Sequence, residues 1–155
     1  MKSATFAQPP NALGAVIDLP GGIRVADALA KAAQNLESIR APSLEAIDRY
    51  LSELEILCAD PAARPSEVTA RRIYDLSNDI LGIAGVFNLD ELGMAAYSLC
   101  ELVDCFSEIS RWNQLAVIVH ISAFRFLRNS DANSDYASIL EGLNRLVERA
   151  REISA

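Results

Sequence analysis

The stretch Ile73-Tyr-Asp-Leu-Ser-Asn-Asp-Ile-Leu-Gly-Ile-Ala-Gly-Val-Phe87 decides the fold. Its Ile73, Leu76, Ile80, Ile83 and Phe87 recur at spacings of three and four, which predicts a helix with one face set into a core. At about 100° per residue, Asn78 falls on the opposite side. Around it on that side stand Arg71, Tyr74, Asp75, Leu81, Gly82 and Gly85. A glycine inside a helix costs about 1 kcal/mol relative to alanine. Gly82 therefore predicts a compensating gain, either close helix packing or close approach of a partner.

The segment Asn78-Asp-Ile-Leu-Gly-Ile-Ala-Gly85 resembles the histidine-containing phosphotransfer (HPt) motif, in outline His-x-Leu-Lys-Gly-x-Ala-Gly. Gly82, Ala84 and Gly85 match it, and Ile80 fills its leucine position. Leu89, Leu92, Ala96, Leu99 and Glu101 continue the family pattern into the next helix. The departures fall on the chemistry: Asn78 stands where the phosphoacceptor histidine would be, and Leu81 where a lysine normally helps neutralise the phosphoryl group. The resemblance covers 66–109; beyond it, only the helix pattern agrees.

An amide nitrogen delocalised into its carbonyl is no nucleophile, whereas imidazole offers a free ring nitrogen near neutral pH. The resemblance thus implies the fold and docking surface of a phosphotransfer domain without its catalysis. Its expected partners are a response-regulator receiver domain or a histidine kinase of bacterial two-component or chemotaxis signalling, with no cofactor. The residues expected to meet the partner are Arg71, Tyr74, Asp75, Asn78, Leu81, Gly82 and Gly85.

Outward from the motif, the chain reads as helices. Residues 25–40 are alanine-rich, with Leu29, Ala33, Leu36 and Ile39 on one face. Pro42-Ser43 is expected to interrupt that helix, with Ser43 capping a second one that buries Leu44, Ile47, Leu51 and Leu54. Glu45, Asp48, Arg49, Glu53 and Glu55 read mostly as its solvated face. Asp60-Pro-Ala-Ala-Arg-Pro65 is a turn, and Ser66 and Glu67 open the central helix. That helix closes near Asn88, one of the few non-glycine residue types at ease with positive φ. Residues 89–109 form its partner.

Residues 113–128 are apolar nearly all round, which predicts burial on several sides. The last helix, about 135–153, buries Tyr136, Leu140, Leu143, Val147 and Ala150. Its Arg145, Arg149 and Arg151 suit the negative end of the helix dipole.

The first 24 residues read as an extended arm, with Ala15-Val-Ile-Asp-Leu19 as an apolar strip before Pro20-Gly-Gly22. The arm with Leu19-Pro-Gly-Gly22, followed by an alanine-rich helix, resembles CheE-type chemotaxis-cluster proteins. The strip could lie across its own domain or a second copy. The expected architecture is all-α: an HPt-like antiparallel four-helix bundle within 25–155, with an additional N-terminal helix and the arm 1–24.

Composition narrows function further. At 155 residues, one domain can build its core without metal or disulfides. A net charge of -7 opposes nucleic-acid binding, since phosphate attraction needs a basic surface. No apolar run has the length of a membrane span. Residues 1–25 hold two cations and no apolar core, a poor secretory signal, so a cytoplasmic protein is expected. Cys58, Cys100 and Cys105 are odd in number and lie in apolar-periodic segments, which predicts structural thiols rather than disulfides or a metal site.

His120 is the single histidine. As an unconventional phosphoacceptor it defines an enzymatic alternative, although Phe124 stands one turn later where a docking receiver needs clearance. Its apolar stripe fits a core histidine with a local hydrogen bond better. A homodimerisation module using Tyr74, Leu81 and the arm is the third reading.

Overall fold

A computed structural model describes residues 22–106, 111–130 and 136–154. Five helices make up most of them: α1 Val25–Leu57, α2 Glu67–Val86, α3 Asp90–Cys105, α4 Gln114–Asn129 and α5 Ala137–Ser154. There is no strand among the described residues, so the all-α class holds. The arm proposed for 1–24, with its 15–19 strip, lies outside the described residues except for 22–24.

By its contacts the chain divides after Ile39 into two compact units. In the first, every residue from 22 to 39 is exposed. The break expected at Pro42-Ser43 does not occur: Pro42 lies inside α1, and Ser43 is helical rather than a cap. Proline's fixed φ near about -65° is itself helical, so the ring deletes one hydrogen bond and crowds the preceding turn without ending the helix. Ser38 Oγ donates to the Asn35 carbonyl at 2.7 Å in the turn before it.

The second unit holds the core. α3 packs against α2, α4 and α5, with Leu92, Ala95, Ala96, Leu99 and Leu102 buried. The stripe read from 73–87 is buried at Ile73, Leu76, Ile80 and Phe87, while Ile83 is half-buried. Ser66 caps α2 by accepting from Thr69 N at 3.1 Å, and Asn113 caps α4 by accepting from Ala116 N at 3.1 Å. Asn88 has φ 56°, and Leu89 N reaches back to the Ala84 carbonyl at 3.0 Å. This six-to-one closure of a helix end needs the left-handed residue that asparagine supplies. The short link then turns α3 back along α2.

The charges on the second half of α1 are more than a solvated face. Glu53 grips Arg72 of α2 through Nε at 2.7 Å and NH2 at 2.9 Å. Glu55 holds Arg125 of α4 in the same two-bond manner at 2.9 Å, and Asp48 meets Arg128 at 3.0 Å. These pairs join α1 to α2 on one side and to α4 on the other. α4 also departs from expectation, because Leu115, Val119 and Phe126 are exposed along one strip. α5 covers a different side of the bundle, against α3 and α4, which leaves that strip open.

At the other end, Gln114 acts as a clamp. Its Oε1 accepts from Trp112 Nε1 at 2.7 Å, and its Nε2 donates to the carbonyls of Cys58 at 3.4 Å and Asp60 at 3.2 Å. The C-terminus of α1, whose last carbonyls lack helical partners, is thereby tied to the start of α4.

Candidate functional site

The α2 face opposite the core carries the residues singled out in the sequence. Arg71, Asn78, Gly82 and Gly85 are exposed, and Tyr74, Asp75 and Leu81 are half-buried. The N-terminal part of this face is internally engaged. Arg71 pairs with Asp75 at 3.0 Å, and its guanidinium lies 5.2 Å from the centre of the Tyr74 ring. These are exposed contacts of modest energy. They order the side chains around Asn78 more than they stabilise the fold.

The glycines answer the question their sequence position raises. A Cβ built on Gly82 or on Gly85 meets no other atom within 4 Å. Close packing within the described chain therefore explains neither residue. Gly93 of α3 differs: it is buried, and its Cβ would stand 3.5 Å from the Ala84 Cβ.

Asn78 and Leu81 line a cleft of about 440 Å³ whose far wall includes Tyr97 and Glu101 of α3 and Arg151 of α5. Arg151 NH2 donates to Glu101 Oε1, so the last helix closes this wall with an ion pair. Sequence reasoning missed that role for Arg151, having assigned it to the dipole of its own helix. No periodicity links positions fifty residues apart.

His120 sits elsewhere, fully buried between α4 and α3. Its Nδ1 is 2.8 Å from the Ala116 carbonyl and its Nε2 is 3.0 Å from Ser98 Oγ. A carbonyl only accepts, so Nδ1 carries the proton. The neutral ring then accepts the Ser98 hydroxyl at Nε2. Burial lowers the histidine's pKa below its usual value, and the bond to Ala116 opposes this in part. Both ring nitrogens are engaged, and Phe124 is buried one turn on.

Cys58 and Cys100 are buried, and burial pushes both thiols up to about 11. Cys105 is half-buried. Among the described residues, no three histidine, cysteine, aspartate or glutamate side chains come together as a metal site. No helix of the described residues is long and apolar enough to cross a membrane.

Compared with protein-family models, curated proteins and solved structures, the chain gives no match.

Proposed function

We propose that the chain is a non-catalytic, HPt-like signalling adaptor. It binds a receiver domain or a histidine kinase through the α2 face around Asn78 and modulates phosphoryl flow by competition. In this reading the four-helix bundle is α1 from Arg40 onward with α2, α3 and α4, and α5 is an addition laid along α3. The setting is bacterial two-component or chemotaxis signalling, in the cytoplasm.

One observation carries the reading: Gly82 and Gly85 are exposed helical glycines with empty space where a Cβ would stand. Each weakens the helix by about 1 kcal/mol relative to alanine, and no contact within the described chain requires either. A partner that approaches the helix backbone closely does require them. Asn78, one turn before Gly82, offers such a partner a donor and an acceptor without a transferable charge.

The deciding experiment is a calorimetric titration of wild type, Asn78→Arg and Gly82→Arg against the receiver domains of the host. One receiver is expected to bind wild type, and both folded variants are expected to lose it. Equal binding by the variants removes this face as the docking site. The phosphotransferase alternative through His120 has the core against it, since a phosphoryl donor reaches neither ring nitrogen without opening the α3–α4 contact. Acid-labile labelling that disappears in His120→Ala would restore it.

A homodimerisation module is favoured by a separate observation: Val25, Leu29, Leu36 and Ile39 are all exposed on the first part of α1. Sedimentation at rising concentration tests this second reading, and a constant monomer mass ends it.

A further inference from the structure

We propose that the groove between α2, α3 and α5 receives an amphipathic, cationic helix of a partner protein. The groove encloses about 730 Å³. Its apolar centre is Met94 and Tyr97, which are 55% and 54% exposed on a helix whose other large apolar side chains are mostly buried. Gly93 keeps the floor low beside them, and Leu140 of α5 stands in the opposite wall. An opening of this shape, with large adaptable side chains at its base, suits the apolar face of a helix.

The rim sets the sign of the occupant. Asp90, Glu101 and Glu148 face the groove against one cation, Arg151, which is already held by Glu101. Among the described residues, neither Asp90 nor Glu148 has an ion-pair partner. The whole chain carries a net charge of -7, so a cationic helix is attracted at a distance and paired on arrival. Length agrees as well. From Asp90 to Glu101 along α3, and from Leu140 to Arg151 along α5, the walls run about 16 Å at the helical rise. An occupant of about three turns fills that length, with apolar residues on one face and lysine or arginine along both edges.

This surface shares Leu81, Gly85, Tyr97, Glu101 and Arg151 with the surroundings of Asn78 but does not depend on the receiver reading. The test uses the full chain and two synthetic fourteen-residue helical peptides, one of leucine and lysine, the other of leucine and glutamate in the same pattern. Binding is followed by calorimetry and by amide chemical shifts. The lysine peptide is expected to bind wild type and to shift Met94, Tyr97 and Leu140, while the glutamate peptide does not bind. Met94→Arg and Glu148→Lys, both at exposed positions, are expected to weaken binding at least tenfold with unchanged circular dichroism.

Glu45→Lys, which makes the same charge change on the exposed face of α1, and Asn78→Arg are expected to stay within twofold of wild type. The proposal is overturned if neither peptide binds, if the glutamate peptide binds as well, if the two groove variants bind like wild type, or if Glu45→Lys is as damaging as Glu148→Lys. Peptide binding retained by Asn78→Arg when receiver binding is lost separates this site from the docking face above.

Discussion

Ser98 on α3 and His120 on α4 meet inside the core with Oγ 3.0 Å from Nε2, and the burial of that ring makes the fold sensitive to mild acid. The ring is held neutral, its folded pKa lowered by burial from an unfolded value near 6.5. Below that unfolded value the unfolded chain binds a proton that the folded chain resists. Stability is therefore full only well above about pH 6.5 and falls as pH drops through that value toward the folded one. Urea midpoints at pH 8, 6.5 and 5.5 are expected to decline in that order, and His120→Gln flattens the decline. The pairs Glu53–Arg72 and Glu55–Arg125 lower their carboxyls below the usual 4.5, so any loss they cause begins at more acidic pH.

Gly82→Ala and Gly85→Ala place a methyl in open space. Each is expected to stabilise the free protein by about 0.5–1 kcal/mol, read from chemical denaturation. The same substitutions are expected to weaken receiver binding. Tighter folding with weaker binding is an outcome that a merely tolerated glycine does not produce.

Replacing Gln114 with alanine removes three hydrogen bonds at once and leaves the buried Trp112 indole N–H without its acceptor. The expected cost is about 1–3 kcal/mol. Trp112 is the only tryptophan, so its fluorescence reports both the local change and the unfolding midpoint.

Pro42→Ala restores the N–H that α1 lacks at that turn. Hydrogen exchange across 25–41 is expected to slow, with the opening of that segment becoming less favourable by up to about 3 kcal/mol. Amides of α3 are expected to be unaffected.

Thiol labelling at pH 8 is expected to reach Cys105 first. Cys58 and Cys100, pushed up to about 11 and buried, hold roughly one thiolate in a thousand at that pH. Their labelling is expected to follow global opening and to accelerate in urea.

The sequence by itself determined which residues face inward on α2 and α5 and where those two helices start and stop, whereas α3 ends at Cys105, short of the 109 expected for it. Periodicity at three and four reports burial directly, as Ile73, Leu76 and Ile80 demonstrate. Caps such as Ser66 and the positive-φ Asn88 are equally local, because each acts through hydrogen bonds only a few residues away. The exposed side of α2 was legible to the same degree, since a helix with one buried face shows its other face by default.

Only the tertiary structure decided what lies across from those faces. That Glu53, Glu55 and Asp48 reach Arg72, Arg125 and Arg128 depends on which helices become neighbours, and charge spacing along one helix does not encode this. The same holds for Arg151 against Glu101, which makes α5 a wall of both clefts, and for the exposed strip on α4, left open because α5 lies elsewhere. Pro42 shows the limit in the other direction. A local breaking signal predicts a boundary, yet helix-forming sequence on both sides carried α1 through it, because proline removes a bond without dictating a turn.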